Sequence, residues 1–462
     1  MATKSKFPLE SASRHNQRVK ARELAHSVCD ELIRNGYQAL FAGGCVRDLL
    51  LGQDPADYDV ATDATPDQVM ALFPESVAVG AQFGVILIPR DGHKVEVATF
   101  RSDVSYSDGR RPDAVVYAKS PEEDVQRRDF TINGLLMRHH TGEILDFVRG
   151  RIDLRAGIIR AIGDPDRRFE EDKLRLLRAV RFAARFGFEI EPDTFRAIRK
   201  HISGIEQVSE ERVRDELTKM LTEGAAGNAF RLLDQTWLLQ RILPEIAAMK
   251  GVEQPPQYHP EGDVWVHTCM MLDGIPAHTS TTLAWGVLLH DVGKPPTFRS
   301  AAETGDRIRF DGHVEVGMKM GEEICRRLKM PNDETEQIVA LIANHMKFKD
   351  AAQMRTSTLK RFVRMYKFEE HMALHRLDCL SSHRHLDTYE YVQQFLAQTP
   401  SEQVRPARLL TGDDLVHLGY EPGPKFSEIL RSVEDAQLEG TVKTREEALK
   451  LVEKAYSGPG NR

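Results

Sequence analysis

The sequence predicts an α+β protein, with short strands and helices interleaved at the N-terminal end and helices thereafter. Three observations carry this prediction. β-type runs at Leu40–Ala42, Val85–Ile88 and Lys94–Phe100 crowd into the first hundred residues, punctuated by glycine turns. Helical spacing governs Glu171–Phe186, Ser209–Leu217 and Arg405–Tyr456. The stretch Glu253–Glu261, with Pro255, Pro256 and Pro260, interrupts that spacing and marks a domain boundary.

At 462 residues the chain is too long for one core, and two to four domains are expected. The formal net charge of −7 gives no overall electrostatic footprint for nucleic acid, so an RNA surface has to be local. Five scattered cysteines form no Cys-x-x-Cys pair, which points to reduced thiols in a cytoplasm. No apolar run approaches a membrane span, and Met1–Glu10 is polar, with no signal-peptide core. There is no internal repeat.

In chain order, Ser13–Asn35 reads as a helix buried through Val19, Leu24, Ala25, Val28 and Leu32 and stopped at Gly36. Leu40–Ala42 ends a buried strand, Gly43 and Gly44 form a turn open to an anion, and Val46–Leu51 is a short helix. Asp57-Tyr58-Asp59 begins the next strand, where residues i and i+2 share a face, so the two carboxylates project together. Such a pair repels unless neutralised, and Mg²⁺ is the usual partner where phosphates are handled. This arrangement predicts nucleotidyl transfer. A helix follows from Thr65 to Phe73. On the strand Lys94–Phe100, Glu96 faces away from Val95 and Val97 and is placed as a third acidic group. Ser102–Pro121, including Ser107–Pro112, reads as a long mobile loop. In Arg127–Leu135, Arg128 supplies a phosphate donor, and Asp129 and Asn133 supply groups able to bond ribose hydroxyls. Ser209 is read as a helix N-cap and Arg212 as structural.

The Gly43-Gly44 turn, Asp57/Asp59, Arg127–Asn133 and Gly163–Phe182 occur in the order seen in bacterial class II CCA-adding tRNA nucleotidyltransferases and their poly(A) polymerase relatives, which the chain resembles. The resemblance implies a polymerase-β-like nucleotidyltransferase head, a small mixed sheet with helices, over residues 1–160, followed by an all-helical neck (161–252), body (253–395) and tail (396–462). It makes Asp57 and Asp59 the Mg²⁺ ligands, with Glu96 beside them. Gly43, Gly44, Arg47 and Asp48 fall around the triphosphate, and Asp129 and Asn133 fall at the ribose. Asp172 and Arg175 become the pair that reads the incoming base. Physically, a carboxylate accepts from the amine of cytosine or adenine and a guanidinium donates to their ring acceptors. As i and i+3 on one helix they would be neighbours. Arg178, Arg181 and Arg185 continue the stripe as a phosphate track.

A second constellation, His267, His290-Asp291, His313, His345 and Asp378, resembles the HD metal-dependent phosphohydrolase domain. That likeness implies one or two bound ions, a divalent transition metal or Mg²⁺, able to activate water against phosphoesters. The activity implied for the whole chain is addition of CCA to tRNA 3′ ends from CTP and ATP with Mg²⁺, releasing pyrophosphate. Within the family, an enzyme that adds only CC lacks the loop that Ser107–Pro112 represents. A proteobacterial poly(A) polymerase carries a basic signature where this chain has Gly80-Ala-Gln-Phe83. An A-adding enzyme shares the same base-reading residues. From another class, the chain would chiefly be an HD phosphohydrolase of nucleotides or RNA ends. Nothing in the residues fixes an oligomeric state.

Overall fold

The computed structural model describes residues 8–80, 84–104 and 114–456. The Ser107–Pro112 motif, Ala81–Phe83 and Gly458–Arg462 lie outside them, as does the start of the Met1–Glu10 stretch. The chain divides into two compact units, one ending at Pro244 and the other beginning at Glu245.

The first unit opens with α1 (Pro8–Arg34), β1 (Ala39–Ala42), α2 (Gly44–Leu50), β2 (Asp59–Thr62), α3 (Pro66–Leu72), β3 (Val77–Gly80), β4 (Val85–Arg90) and β5 (His93–Thr99). It continues with β6 (Arg101–Val104), β7 (Ala114–Tyr117), α4 (Pro121–Gln126), β8 (Leu135–Met137), β9 (Ile144–Asp146), α5 (Gly150–Ala156) and β10 (Ile158–Ile159). Seven strands make one mixed sheet in the order β3-β4-β5-β2-β1-β8-β9, with β2 and β5 parallel. All four residues of β1 are buried, as a central strand covered on both faces requires. Helix α1 packs on β1, β2 and β5 through buried Leu24, Ala25, Val28 and Leu32, whereas Val19 is exposed. Thr65 and Gln68 form a capping box at the start of α3. Asp91 and Gly92, both at positive φ, turn β4 into β5.

Several expectations are corrected. Strand β2 begins at Asp59 rather than Asp57. The ends of the expected loop are strands, because β6 and β7 pair antiparallel from Arg101↔Tyr117 to Val104↔Ala114 and Val115-Val116-Tyr117 is a β-forming run. The helix expected over Glu171–Phe186 is broken: α6 (Pro165–Glu171) stops, Asp172 is extended at φ −145°, and α7 (Arg175–Phe186) starts afresh. Beyond lie β11 (Glu189–Ile190), α8 (Pro192–Lys200), α9 (Glu210–Thr222), α10 (Ala226–Gln235) and α11 (Leu238–Ile242). Ser209 stands at the N-cap of α9, but its side chain makes no capping bond. Helix α7 packs on α9 and α10 through Leu176, Leu177, Val180 and Ala183.

The second unit is helical among its described residues. Helix Thr281–Leu289 is buried from Thr282 to Leu289, apolar all round, and packs against helices Val264–Asp273, Asn332–Asn344 and Phe368–Ser381. Gly293 follows, where a Cβ would come within 2.1 Å of the His313 carbonyl oxygen, so only glycine admits helix His313–Arg327 so close. The proline-bearing stretch is closed into a loop by the Glu253↔Asp263 bridge. No described helix is long and apolar enough to cross a membrane.

Candidate active site

A register across three strands lines up the first group. Ala42, just before Gly43, is opposite Asp59 in the β1–β2 pair, and Asp59 is opposite Glu96 in the β2–β5 pair. Tyr58 is buried edge-on against Phe41, with centroids 5.3 Å apart, whereas Asp57, Asp59 and Glu96 are exposed. Alternation on β2 and β5 leaves Asp59 and Glu96 on the outside, while Tyr58, just before β2, is turned inward. Protein atoms that displace water around the Asp59 carboxyl, together with the charges of Glu96 and Asp57, push its pKa up to about 6, with Arg128 opposing. Asp57 lines a neighbouring hollow with Ala56 and the β4–β5 turn, while Asp59 lines the same cavity as Gly43 and Gly44.

That cavity, of about 460 Å³, draws on three parts of the first unit. The sheet end contributes Gly43, Gly44, Arg47 and Asp59. The segment between α4 and β8 contributes Arg127, Arg128, Asp129 and Asn133. The α6–α7 break contributes Asp172 and Leu174, and α7 and α9 contribute Arg175, Arg178, Phe182 and Arg212. Gly43 is favoured by its φ of +68°, and a Cβ there would also crowd Arg128 Nη1 at 3.0 Å.

Each charged group is held by partners. Arg47 donates to Asn133 Oδ1 at 2.6 Å and to Asp48, and its guanidinium lies over Phe186 at 4.6 Å. Asn133 donates to Asp129, whose carboxylate also accepts from Arg178 at 2.5 and 2.8 Å. Burial disfavours the Asp129 anion, but Arg178 and the Asn133 hydrogen bond hold it well below the usual carboxylate range. Buried Asp124 orients both Arg127 and Arg128. Arg175 donates to Glu171 at 2.9 Å and to the backbone carbonyls of Arg168 and Arg127. Asp172 accepts from Arg212 at 3.0 and 3.2 Å and from the Leu174 amide.

Most of the residues read from the sequence thus meet: Gly43, Gly44, Arg47, Asp59, Arg128, Asp129, Asn133, Asp172, Arg175 and Arg178 share one cavity. Asp172 and Arg175 do so across a helix break, not as neighbours on one helix. Asp48 and Arg181 are absent from the lining. Asp48 pairs with Arg47, and Arg181 is buried against Glu216 at 2.6 Å with Phe182 beneath it, so the continuous arginine track is not formed. Sequence reasoning left out Arg127, Leu174 and Phe182 and took Arg212 as structural. Only the approach of α9 to Asp172 brings Arg212 to the cavity, and no local pattern signals it.

The second unit holds a histidine cluster beside a cavity of about 550 Å³ lined by His313, His345 and Asp378 among others. The rings of His267 and His290, of His290 and His345, and of His345 and His313 each stand 5.5 Å apart. His267, His290 and Asp378 form one group able to hold a metal ion, and Asp291, His313 and His345 form another. All six expected residues therefore meet. Nε2 atoms of His313 and His345 are buried without a hydrogen-bond partner among the described residues. Asp291 takes Lys294 at 2.7 Å and His290 at 3.1 Å; burial opposes its charge, but His290 and Lys294 beside it keep its pKa well below the ordinary value. Burial lowers His345 to about 4. Burial also opposes charge on His267, but Asp378 and Glu261 outweigh it and raise that residue to about 9. His259 and Glu261 adjoin the cluster and were not anticipated; His259-Pro260-Glu261 lies in the stretch read only as a boundary.

Three family models match the chain: the poly A polymerase head domain at residues 39–160, a "Probable RNA and SrmB- binding site of polymerase A" at 187–250, and tRNA nucleotidyltransferase domain 2 at 313–452. The CCA-adding enzyme of Geobacillus thermodenitrificans is 43% identical over 223 residues, which spans 48% of this chain and only 55% of that enzyme. That of Leuconostoc mesenteroides is 30% identical over 95% of this chain and 97% of its own length, and that of Levilactobacillus brevis 32% over 92% and 96%. Among solved structures, the Bacillus stearothermophilus CCA-adding enzyme in complex with CTP is similar with a TM-score of 0.71 at 26% identity, covering 93% of this chain and 96% of that one. The Thermotoga maritima CCA-adding enzyme complexed with tRNA shares the fold at a TM-score of 0.56 and 19% identity, covering 96% and 98%. With an alignment that runs nearly end to end at this identity, the chain belongs to the family of CCA-adding enzymes.

Proposed function

We propose that this chain adds CCA to tRNA 3′ ends from CTP and ATP, releasing pyrophosphate, with Mg²⁺ held by Asp57 and Asp59. The observation that carries the reading is the register Ala42–Asp59–Glu96, which sets acidic oxygens beside the Gly43 turn of an arginine-lined cavity. The donor set suits Mg²⁺, because it consists of hard carboxylate oxygens, and desolvation together with the charges of Glu96 and Asp57 already raises Asp59. When bound, the metal lowers the pKa of the attacking 3′-hydroxyl and offsets charge on the α-phosphate. Arg128, beside Gly43, and the glycine backbone receive the triphosphate, and Asp129 with Asn133 meets the ribose. Arg212 and the Leu174 amide fix the Asp172 carboxylate so that a remaining lone pair accepts the exocyclic amine of cytosine or adenine, with Arg175 donating beside it. Guanine and uracil leave that acceptor unmatched, at about 1–3 kcal/mol. The names of the relatives, one solved with CTP and one with tRNA, support the same substrates. The domain reading remains a head, neck, HD-containing body and tail. A cytoplasmic location is part of the reading, supported by five free, buried cysteines.

The test offers tRNA ending before CCA, after C and after CC, with CTP and ATP supplied separately. Extension of all three to one common end supports the reading; extension of the CC-ended RNA alone transfers the chain to A-addition. A second activity, HD-type hydrolysis of phosphoesters, is favoured by the meeting of His267, His290, Asp291, His313, His345 and Asp378, whose imidazole donors suit a transition metal. Phosphatase assays on His290→Ala test it.

A further inference from the structure

Away from both cavities, α1 meets the turn that follows β8 through Asp30, His139 and His140. One carboxylate oxygen, Asp30 Oδ1, lies 2.8 Å from Nε2 of His139 and 2.8 Å from Nε2 of His140. Consecutive side chains on an extended strand point to opposite faces. Here the chain turns after Met137, and the two rings lie on the same side, 3.8 Å apart. His139 is buried against the rings of His26 and Phe41, while His140 is exposed. An ordinary ion pair needs one histidine per carboxylate, and charging two imidazoles this close is unfavourable.

We propose that Asp30, His139 and His140 form a binding site for a divalent transition metal of the Zn²⁺ class, with water as the fourth ligand, which fastens α1 to the sheet. The ligand atoms lie within 4.8 Å of one another, and around a tetrahedral Zn²⁺ they would stand about 3.3 Å apart. A small adjustment of exposed His140 and half-buried Asp30 reaches that spacing from 2.8 Å. Two imidazole nitrogens and one oxygen select such an ion over Mg²⁺, which separates this site from the all-oxygen set at Asp59. Asp30 and His139 are 109 positions apart, so a bound ion closes a long loop and stabilises the fold. The site is not catalytic. The Gly43 amide bonds the Leu135 carbonyl at one end of the β1–β8 pair, and the chain leaves Met137 toward the other end.

Chelator-treated full-length chain is titrated with Zn²⁺, and in parallel with Co²⁺ read by its tetrahedral absorption bands, in millimolar Mg²⁺ to occupy oxygen sites. His140→Ala and Asp30→Asn should each bind one equivalent less tightly than the parent by about 100-fold or more, beyond the cost of losing an outer-sphere partner. The melting temperature rise on adding Zn²⁺ should shrink in step, while CTP and ATP incorporation is unchanged. Equal stoichiometry and affinity in parent and variants would overturn the site and leave an ion pair only. His140 is exposed and its variant should fold; if circular dichroism shows otherwise, Asp30→Asn decides alone.

Discussion

The cavity of the first unit and that of the second neutralise their carboxylates in opposite ways. Around Asp59 the acids Asp124, Asp129 and Asp172 are each gripped by arginine, whose charge is permanent and whose planar fork fixes orientation. In the second unit Asp291 and Asp378 are faced by histidines and one lysine. Imidazoles keep lone pairs and can shed protons, so they offer a metal ligands where arginine cannot. The first arrangement fixes its acids with permanent positive charge and leaves Asp59 without such a partner among the described residues; the second sets imidazoles around its acids in groups that could hold a metal ion. Arginine density thus suits the orienting of an anion, and histidine density suits the holding of a metal ion.

The most severe test of this contrast removes one side chain from each. Asp59→Ala should lower nucleotide incorporation about 1000-fold or more, the several kcal/mol that a lost metal centre costs, while His290→Ala leaves it unchanged. Equal losses in single-turnover assays would break the comparison. Next in size is Arg181→Ala, which leaves buried Glu216 with only the longer Lys219 contact among its described ion pairs and should destabilise the chain by about 3 kcal/mol in denaturant melts, whereas replacing both partners with apolar residues should be far milder. Asp172→Ala should cost roughly 10- to 100-fold in discrimination of CTP and ATP against UTP and GTP, read as ratios of kcat/KM.

The smallest effect concerns pH. The Asp59 pKa stands near 6, above the ordinary carboxylate value, so between about pH 4 and 6 the folded chain holds a proton that the unfolded chain has lost. Ionised Asp59 therefore costs stability above pH 6, and that cost disappears as pH falls. Metal binding needs the ionised form, so the Mg²⁺ concentration for half-maximal activity should rise as pH drops through about 6. Glu96→Gln, which removes a like charge, should move that inflection lower, and an unchanged inflection would refute the coupling.

Legibility followed the range of the interactions. The Gly43-Gly44 turn, the outward Asp59 and Glu96 and the capped helix at Thr65 are set by φ preferences, strand alternation and side-chain capping within a few residues, whereas Asp57 precedes the strand that was to align it with Asp59 and lines a separate hollow. Asp172 and Arg175 were legible as a pair but not as a geometry. Asp172 bonds the Leu174 amide and Arg212, which breaks the helix and replaces the expected i,i+3 contact. The arginine stripe misled for a similar reason: a helical period shows which residues share a face, but not that Glu216 on α9 would bury Arg181.

What the sequence by itself determined is therefore the local chemistry: which residues turn, which alternate, which ionise, and the order of motifs that assigns the family. What only the tertiary structure decided is which charge meets which, namely Asp59 beside Glu96, Arg212 on Asp172, and Asp30 between two histidines. Those partners lie tens to a hundred residues apart, and Coulomb energy depends on distance in space, which chain closure sets and local propensity does not.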